Sequence, residues 1–182
     1  LSDSVVWHAP TCADDPGSDP ADAPTTSAAG VACPIMVADC LPVLFADKAG
    51  RRVAAAHAGW RGLSEGVLER TVASFEAPAS EVMAWLGPCI GPEAFEVGPE
   101  VKAAFEAHAP EAARCFAPAA APGKWLADLP ALARPGLRAL GLVQLHGNDG
   151  SAPWCTVGNP SRFFSHRRDG VSGRFAALVW LR

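Results

Sequence analysis

VADCLPVLFADKAGRRVAAAHAGWRG, residues 37–62, is the stretch on which the reading of the fold depends. Two short apolar runs flank a polar break, Asp47-Lys48-Ala49-Gly50-Arg51-Arg52. Each run has strand length and ends at turn residues, so the pair reads as buried strands, and the break suits a hairpin loop. Paired positions in an antiparallel hairpin add to a constant, and a turn centred near Ala49 brings Cys40 close to His57 at the open end. A slip of one residue would put the two on opposite faces. A thiol and an imidazole side by side at a strand end suit two kinds of chemistry. They can be two ligands of a zinc-like metal, or a nucleophile and its base.

Working outward, Val5, Val6 and Trp7 suggest a short strand, residues 11–30 a surface loop, and residues 31–36 an apolar run leading into the hairpin. After the hairpin, Leu63, Val67, Leu68, Val72 and Phe75 keep helical spacing up to Pro78. Residues 82–86 read as a strand, and 87–92, with two Gly and two Pro, as a rigid loop. A helix is expected over 99–108, with Pro99 in its first turn, and a loop over 116–123. Asp128 is a plausible N-cap for a third helix running to Leu140, in which Pro135 predicts a kink or break. Short strands are expected at 143–145 and 174–181, with a loop over 148–162. Strands and helices mix without strict alternation, which favours an α+β single domain over a doubly wound parallel sheet.

The chain has 182 residues, 49% of them hydrophobic, enough for one domain with a sizeable core. A formal net charge of −4 and no Lys/Arg stripe argue against a nucleic-acid binder. No apolar run approaches the roughly 20 residues of a membrane span. Six Cys occur without a C-x-x-C pair, and no secretory signal is visible. The expectation is therefore reduced thiols in a cytoplasmic protein. The first residue is Leu1, not Met.

Other residues add to the Cys40–His57 pair. Asp39 precedes Cys40, and a carboxylate there is costly to bury idly. Gly59-Trp60-Arg61-Gly62 joins a strand to a helix N-terminus, which with the Arg61 fork suits an anion; a tight turn with a solvated Arg explains the same residues. Arg167 and Arg168, in Phe163-Phe164-Ser165-His166-Arg167-Arg168-Asp169-Gly170, could hold an anionic substrate if that loop folds over the hairpin end, or form a salt-bridged surface turn. Cys89 reads as a buried thiol rather than a ligand. Two ligands are too few for a catalytic zinc, which takes three from the protein. The third would be His8, His146, His166 or a residue outside this sequence.

Five motifs in order, A-D-C-L-P-V-L (38–44), H-A-G-W-R-G (57–62), L-G-P-C-I-G-P-E-A-F-E-V-G (86–98), D-L-P-A-L-A (128–133) and F-F-S-H-R-R-D-G (163–170), resemble the laccase-domain family. Its members are known as polyphenol oxidoreductases and as purine nucleoside phosphorylases. The resemblance implies an α+β fold of packed mixed β-sheets flanked by helices. It also implies a metal held by a His of an upstream V-H-G motif, by Cys40 and by His57, with zinc the usual metal and copper the alternative. No V-H-G occurs here, and His8 is out of register with it, so the expectation is a family domain over 1–182 that lacks its N-terminal part. The activity implied is phosphorolysis of adenosine, inosine, guanosine and methylthioadenosine, with some adenosine deamination. A role in removing wrongly built peptidoglycan precursors is also implied.

On this reading the partners are a small-molecule nucleoside and phosphate, with no nucleic acid and no membrane; the oligomeric state is not legible. Arg61 balances phosphate charge, Asp39 transfers a proton or supports the ligands, and Arg167 and Arg168 contact phosphate or ribose. Trp60 or Phe95 could stack on the purine. Three rival readings keep the same residues: copper-dependent polyphenol oxidation, for which five His are few, a Cys40–His57 amidohydrolase, and a metal- or partner-binding module without turnover.

Overall fold

A computed structural model describes residues 23–182. The strand expected at Val5–Trp7, and His8, lie outside the described residues. The strands are β1 (Thr25–Thr26), β2 (Ala32–Val37), β3 (Leu41–Asp47), β4 (Val53–Ala58), β5 (Val82–Leu86), β6 (Glu96–Val97), β7 (Phe116–Pro118), β8 (Trp125–Ala127), β9 (Gln144–Gly147) and β10 (Phe175–Trp180). The helices are α1 (Trp60–Ser64), α2 (Val67–Ala73), α3 (Pro99–His108), α4 (Leu129–Ala139) and α5 (His166–Asp169). The architecture is the expected α+β domain of mixed sheets flanked by helices.

Among the described residues the strands form three sheets, in the orders β1-β4-β3-β5-β9, β10-β2 and β6-β8-β7. The first is mixed, because β9 runs parallel to β5 while its other pairs are antiparallel. Alternation divides its two faces. Leu41, Val43, Phe45, Ala54, Ala56, Val82, Ala84 and Leu86 point into the main core, shared with Leu63, Leu68, Phe105, Leu129 and Leu137 of the helices. Val53 and Ala55 point the other way and pack with Cys33, Ile35 and Val37 of β2. The β2–β10 ribbon thus forms a second layer over the sheet, and its own outer face leaves Met36, Leu178 and Trp180 exposed.

Several expectations are corrected. The apolar run that leads into the hairpin forms β2, and its partner, which sequence spacing does not indicate, is β10, 138 residues on at Phe175↔Val37. The expected single helix after the hairpin is two, because Gly66 takes φ +83° and restarts the backbone as α2. The loop expected over 116–123 contains β7, paired with β8. Helix α4 begins as expected, with the Asp128 carboxylate accepting from the Ala131 N–H at 2.9 Å, but it runs on through Pro135 without a break. No helix among the described residues is long and apolar enough to cross a membrane.

Candidate functional site

The hairpin forms with Leu41 opposite Ala58 and Pro42 opposite His57. Cys40 therefore lies beyond the last pair, in line with Gly59 and diagonal to His57. The offset of two residues from the expected pairing preserves parity, so the two share a face. The packing agrees: Cys40 lies against the cluster that Val53 and Ala55 build with β2, and His57 alternates in phase with those two. A Cβ on Gly59 would come within 3.1 Å of the Cys40 Sγ, so the thiol rests on the glycine backbone. Both Cys40 and His57 are half-buried.

The turn that carries Cys40 also moves the chain from the β2–β10 layer into the larger sheet. Its centre is Asp39, the one non-glycine described residue with positive φ, at +96°. Such backbone is uncommon for a residue with a Cβ, and Asp tolerates it better than most. Asp39 is buried, and the hydrogen bonds on its atoms reach far along the chain. Its Oδ1 accepts from the Thr156 hydroxyl at 2.5 Å, and its Oδ2 from the Arg167 N–H at 2.7 Å. Its carbonyl accepts from the Ile90 N–H at 2.9 Å. The loop 87–92, the loop around Thr156 and the start of α5 are thereby gathered on one residue.

The arginines divide. The guanidinium of Arg168 donates to the carbonyls of Thr156, Val157 and Phe163 and to the Asp169 carboxylate, so it braces the loop rather than facing a substrate. Arg167 donates from Nη1 to the Glu96 carbonyl at 2.9 Å and lies over the Phe95 ring. Phe95 itself is part of the main core, which takes it out of contention as a purine platform. Arg61 is exposed and stacks on Trp60, 4.4 Å from the ring centroid. Both line a cavity of about 930 Å³ among α1, α2, α3 and α4 that Asp39, Cys40 and His57 do not line. Arg61 is therefore directed toward the helical layer, and the expected pairing of its charge with the Cys40–His57 face is not brought about.

Thiol and imidazole are donor types that suit zinc. Among the described residues, however, no group of three His, Cys, Asp or Glu is placed to hold a metal. His146 lies on β9, three strand spacings from β4, roughly 14 Å. His166 is exposed at the start of α5. The donors Cys40 and His57 therefore fit the ion in kind and fall one short in number. Cys89 is buried, as expected, and burial pushes its thiol far above the ordinary range even though the Asn148 side chain donates to it. Thr156 and Asn148 were not singled out from sequence. Asn148 sits in an Asn-Asp-Gly run that reads only as a turn, and Thr156 has no local pattern at all.

Comparison with known proteins adds the following. The family model described as multi-copper polyphenol oxidoreductase laccase matches residues 3–182. A Pseudomonas aeruginosa protein named purine nucleoside phosphorylase is 54% identical over 162 residues, which cover 89% of this chain and 65% of that protein. Purine nucleoside phosphorylase YfiH of Escherichia coli is 49% identical over 161 residues, covering 88% of this chain and 64% of its own. The crystal structure of a Neisseria meningitidis protein superposes with a TM-score of 0.82 at 52% identity, over 88% of this chain and 64% of that one. The YlmD structure from Geobacillus stearothermophilus gives 0.81 at 30% identity, over 89% and 61%. The chain thus spans a little under two thirds of the length of these relatives.

Proposed function

We propose, for a chain that belongs to the multi-copper polyphenol oxidoreductase laccase family, the reaction of a zinc-dependent purine nucleoside phosphorylase. Two relatives at 54% and 49% identity are named purine nucleoside phosphorylase. The observation that carries the reading to particular residues is the shared face of Cys40 and His57 at the hairpin end. These two would hold the ion together with a third donor from outside the described residues. When bound, it supplies Lewis-acid stabilisation of negative charge. In phosphorolysis a phosphate oxygen bonds to C1′ of the ribose, the C1′–N9 bond breaks, and the purine leaves with a proton.

Among the chain's own groups, Arg167 is the better candidate to hold phosphate, because one guanidinium nitrogen is tied to Glu96 and its main chain adjoins Asp39. Arg168 is committed to the loop. Asp39, accepting two hydrogen bonds, serves to position Cys40 rather than to move a proton. Adenosine, inosine, guanosine and methylthioadenosine are the substrates proposed, with adenosine deamination as a side activity.

The test is elemental analysis of the chain purified without added metal, with Cys40→Ala as control, followed by nucleoside assays with and without phosphate. About one zinc per chain, lost in the variant, with release of free purine only when phosphate is present, is the expected result. Purine release without phosphate, or stoichiometric copper with polyphenol oxidation, overturns it.

A further inference from the structure

Asp39 holds a backbone conformation that an L-residue adopts reluctantly, and the next residue is Cys40. The thiol has little freedom, because its Sγ already rests against Gly59, two residues beyond His57. A small rotation of the peptide between Asp39 and Cys40 would therefore lift the thiol off that seat and away from the imidazole's face. What opposes the rotation is the Ile90 N–H bond to the Asp39 carbonyl, which belongs to that peptide, together with the pair of bonds that fix the Asp39 side chain, from the Thr156 hydroxyl and from the Arg167 N–H.

Thr156 is built to be a fixed donor. It is fully buried. Its N–H donates to the Cys89 carbonyl at 2.9 Å, and its own carbonyl accepts from the Arg168 guanidinium at 2.8 Å. Its backbone is thus held from both sides, and the hydroxyl points from a rigid support at a residue 117 positions away in sequence. The Arg167 N–H is likewise fixed. It belongs to the first turn of α5, whose N-cap Ser165 is itself fully buried and accepts from the Arg168 N–H at 3.2 Å.

We propose that Thr156 is a positioning residue which, through Asp39, aims the Cys40 thiol toward His57 for metal binding; the inference rests on the metal-site reading given above. The hydroxyl is what matters, so the conservative replacement that keeps it retains the effect and the isosteric one that lacks it does not. Groups hydrogen-bonded directly to a metal ligand typically change affinity 10- to 100-fold when removed; Thr156 acts one step further out, through Asp39, which sets the expectation at the lower end of that range.

The experiment titrates Co²⁺ into the metal-free full chain and follows the thiolate-to-cobalt charge-transfer band, which reports the Cys40–metal bond itself. It compares the native chain, Cys40→Ala, Thr156→Val and Thr156→Ser, with far-UV circular dichroism and thermal unfolding alongside. The expected result is a band in the native chain that is absent in C40A, weakened with at least tenfold poorer affinity in T156V, and restored to within about threefold in T156S. Native-like affinity and band in T156V overturn the proposal while leaving the metal site standing. A native chain with no thiolate band sinks the metal reading and the proposal with it. Should T156V fail to fold, Thr156→Ala takes its place, since it too lacks the hydroxyl and adds no second methyl at the buried site. An unchanged cobalt band with unchanged affinity in T156A then overturns the proposal.

Discussion

Strand β3 carries a buried carboxylate at each approach: Asp39 just before it and Asp47 at its end. Asp47 closes the hairpin loop. Its Oδ1 accepts from the N–H groups of Arg51 and Arg52 at 2.6 and 3.3 Å, and its Oδ2 from the Arg51 Nε at 2.9 Å. Burial pushes this carboxyl up, but the Arg51 and Arg52 hydrogen bonds outweigh it and hold the group below the ordinary carboxylate value. A depressed folded value means that the stabilisation is complete above the unfolded carboxyl pKa of about 3.9 and is lost as pH falls through the lower, folded one. Asp47→Asn removes a charged acceptor from two main-chain donors, at a cost of about 1–3 kcal/mol at pH 7. The exposed Arg51 side chain adds little to that. Urea unfolding at pH 7 and again near pH 3 is expected to show the gap between D47N and the native chain narrowing at the lower pH. A gap independent of pH would show that the carboxylate charge plays no part. The loop was legible because turn composition is local. The role of Asp47 was not, because it depends on which way two backbone N–H groups point.

Elements were legible in proportion to their length and periodicity. The hairpin strands, β5, α3 and β10 have five or more residues in a regular pattern, and each was expected near its observed bounds. Strands β6, β7 and β8, at two or three residues, are too short for a period to register. The break between α1 and α2 was hidden because Leu63, Val67 and Leu68 keep helical spacing across Gly66. Helix α4 shows tertiary structure overriding a local signal. Pro130 sits in the first turn, where its missing N–H costs nothing. Pro135 lies in the interior, where the Ala131 carbonyl is denied its partner four residues on. The helix persists because Leu129, Ala133 and Leu137 are anchored in the core. Proline in a helix interior is about 3 kcal/mol worse than alanine, while its removal loosens the unfolded chain by roughly 0.4–1 kcal/mol. Pro135 is exposed, so no packing is lost on replacement. Pro135→Ala is therefore expected to stabilise the protein by about 1–2 kcal/mol in urea unfolding. A destabilised variant would mean that the helix geometry around Pro135 is one the packing requires.

Taken whole, the molecule assembles its candidate site from loops that three separate regions of sequence contribute, and this explains how far the site could be read in advance. Cys40 and His57 belong to one hairpin, so spacing alone puts them on one face. Thr156, the α5 amides and the loop 87–92 reach Asp39 only through the order of strands in the sheet, which no local pattern records. Asn148 ties one of those loops, 87–92, to the end of β9. It is buried and follows β9 directly. Its side chain donates to the Gly87 carbonyl at 2.9 Å and to the Cys89 Sγ at 3.3 Å, and accepts from the Gly150 N–H at 2.9 Å. Its own N–H donates to the Leu86 carbonyl, while the Arg134 guanidinium of α4 donates to its carbonyl at 2.7 and 3.0 Å. Helix, sheet and two loops therefore meet on one residue, through its main chain and its amide side chain together, and it touches none of the residues proposed to bind metal or substrate. Asn148→Ala strips three hydrogen bonds and leaves buried partners unsatisfied, a loss of about 2–4 kcal/mol, or a fall in Tm of roughly 5–12 °C for a chain of this size. Because the loops 87–92 and 148–158 are clasped together, the effect should be local as well as global. Cys89, inert while buried, is expected to react with a thiol reagent under native conditions faster than its share of global unfolding allows. Labelling of Cys89 that merely tracks the lost stability would show instead that the clasp opens only when the whole domain unfolds.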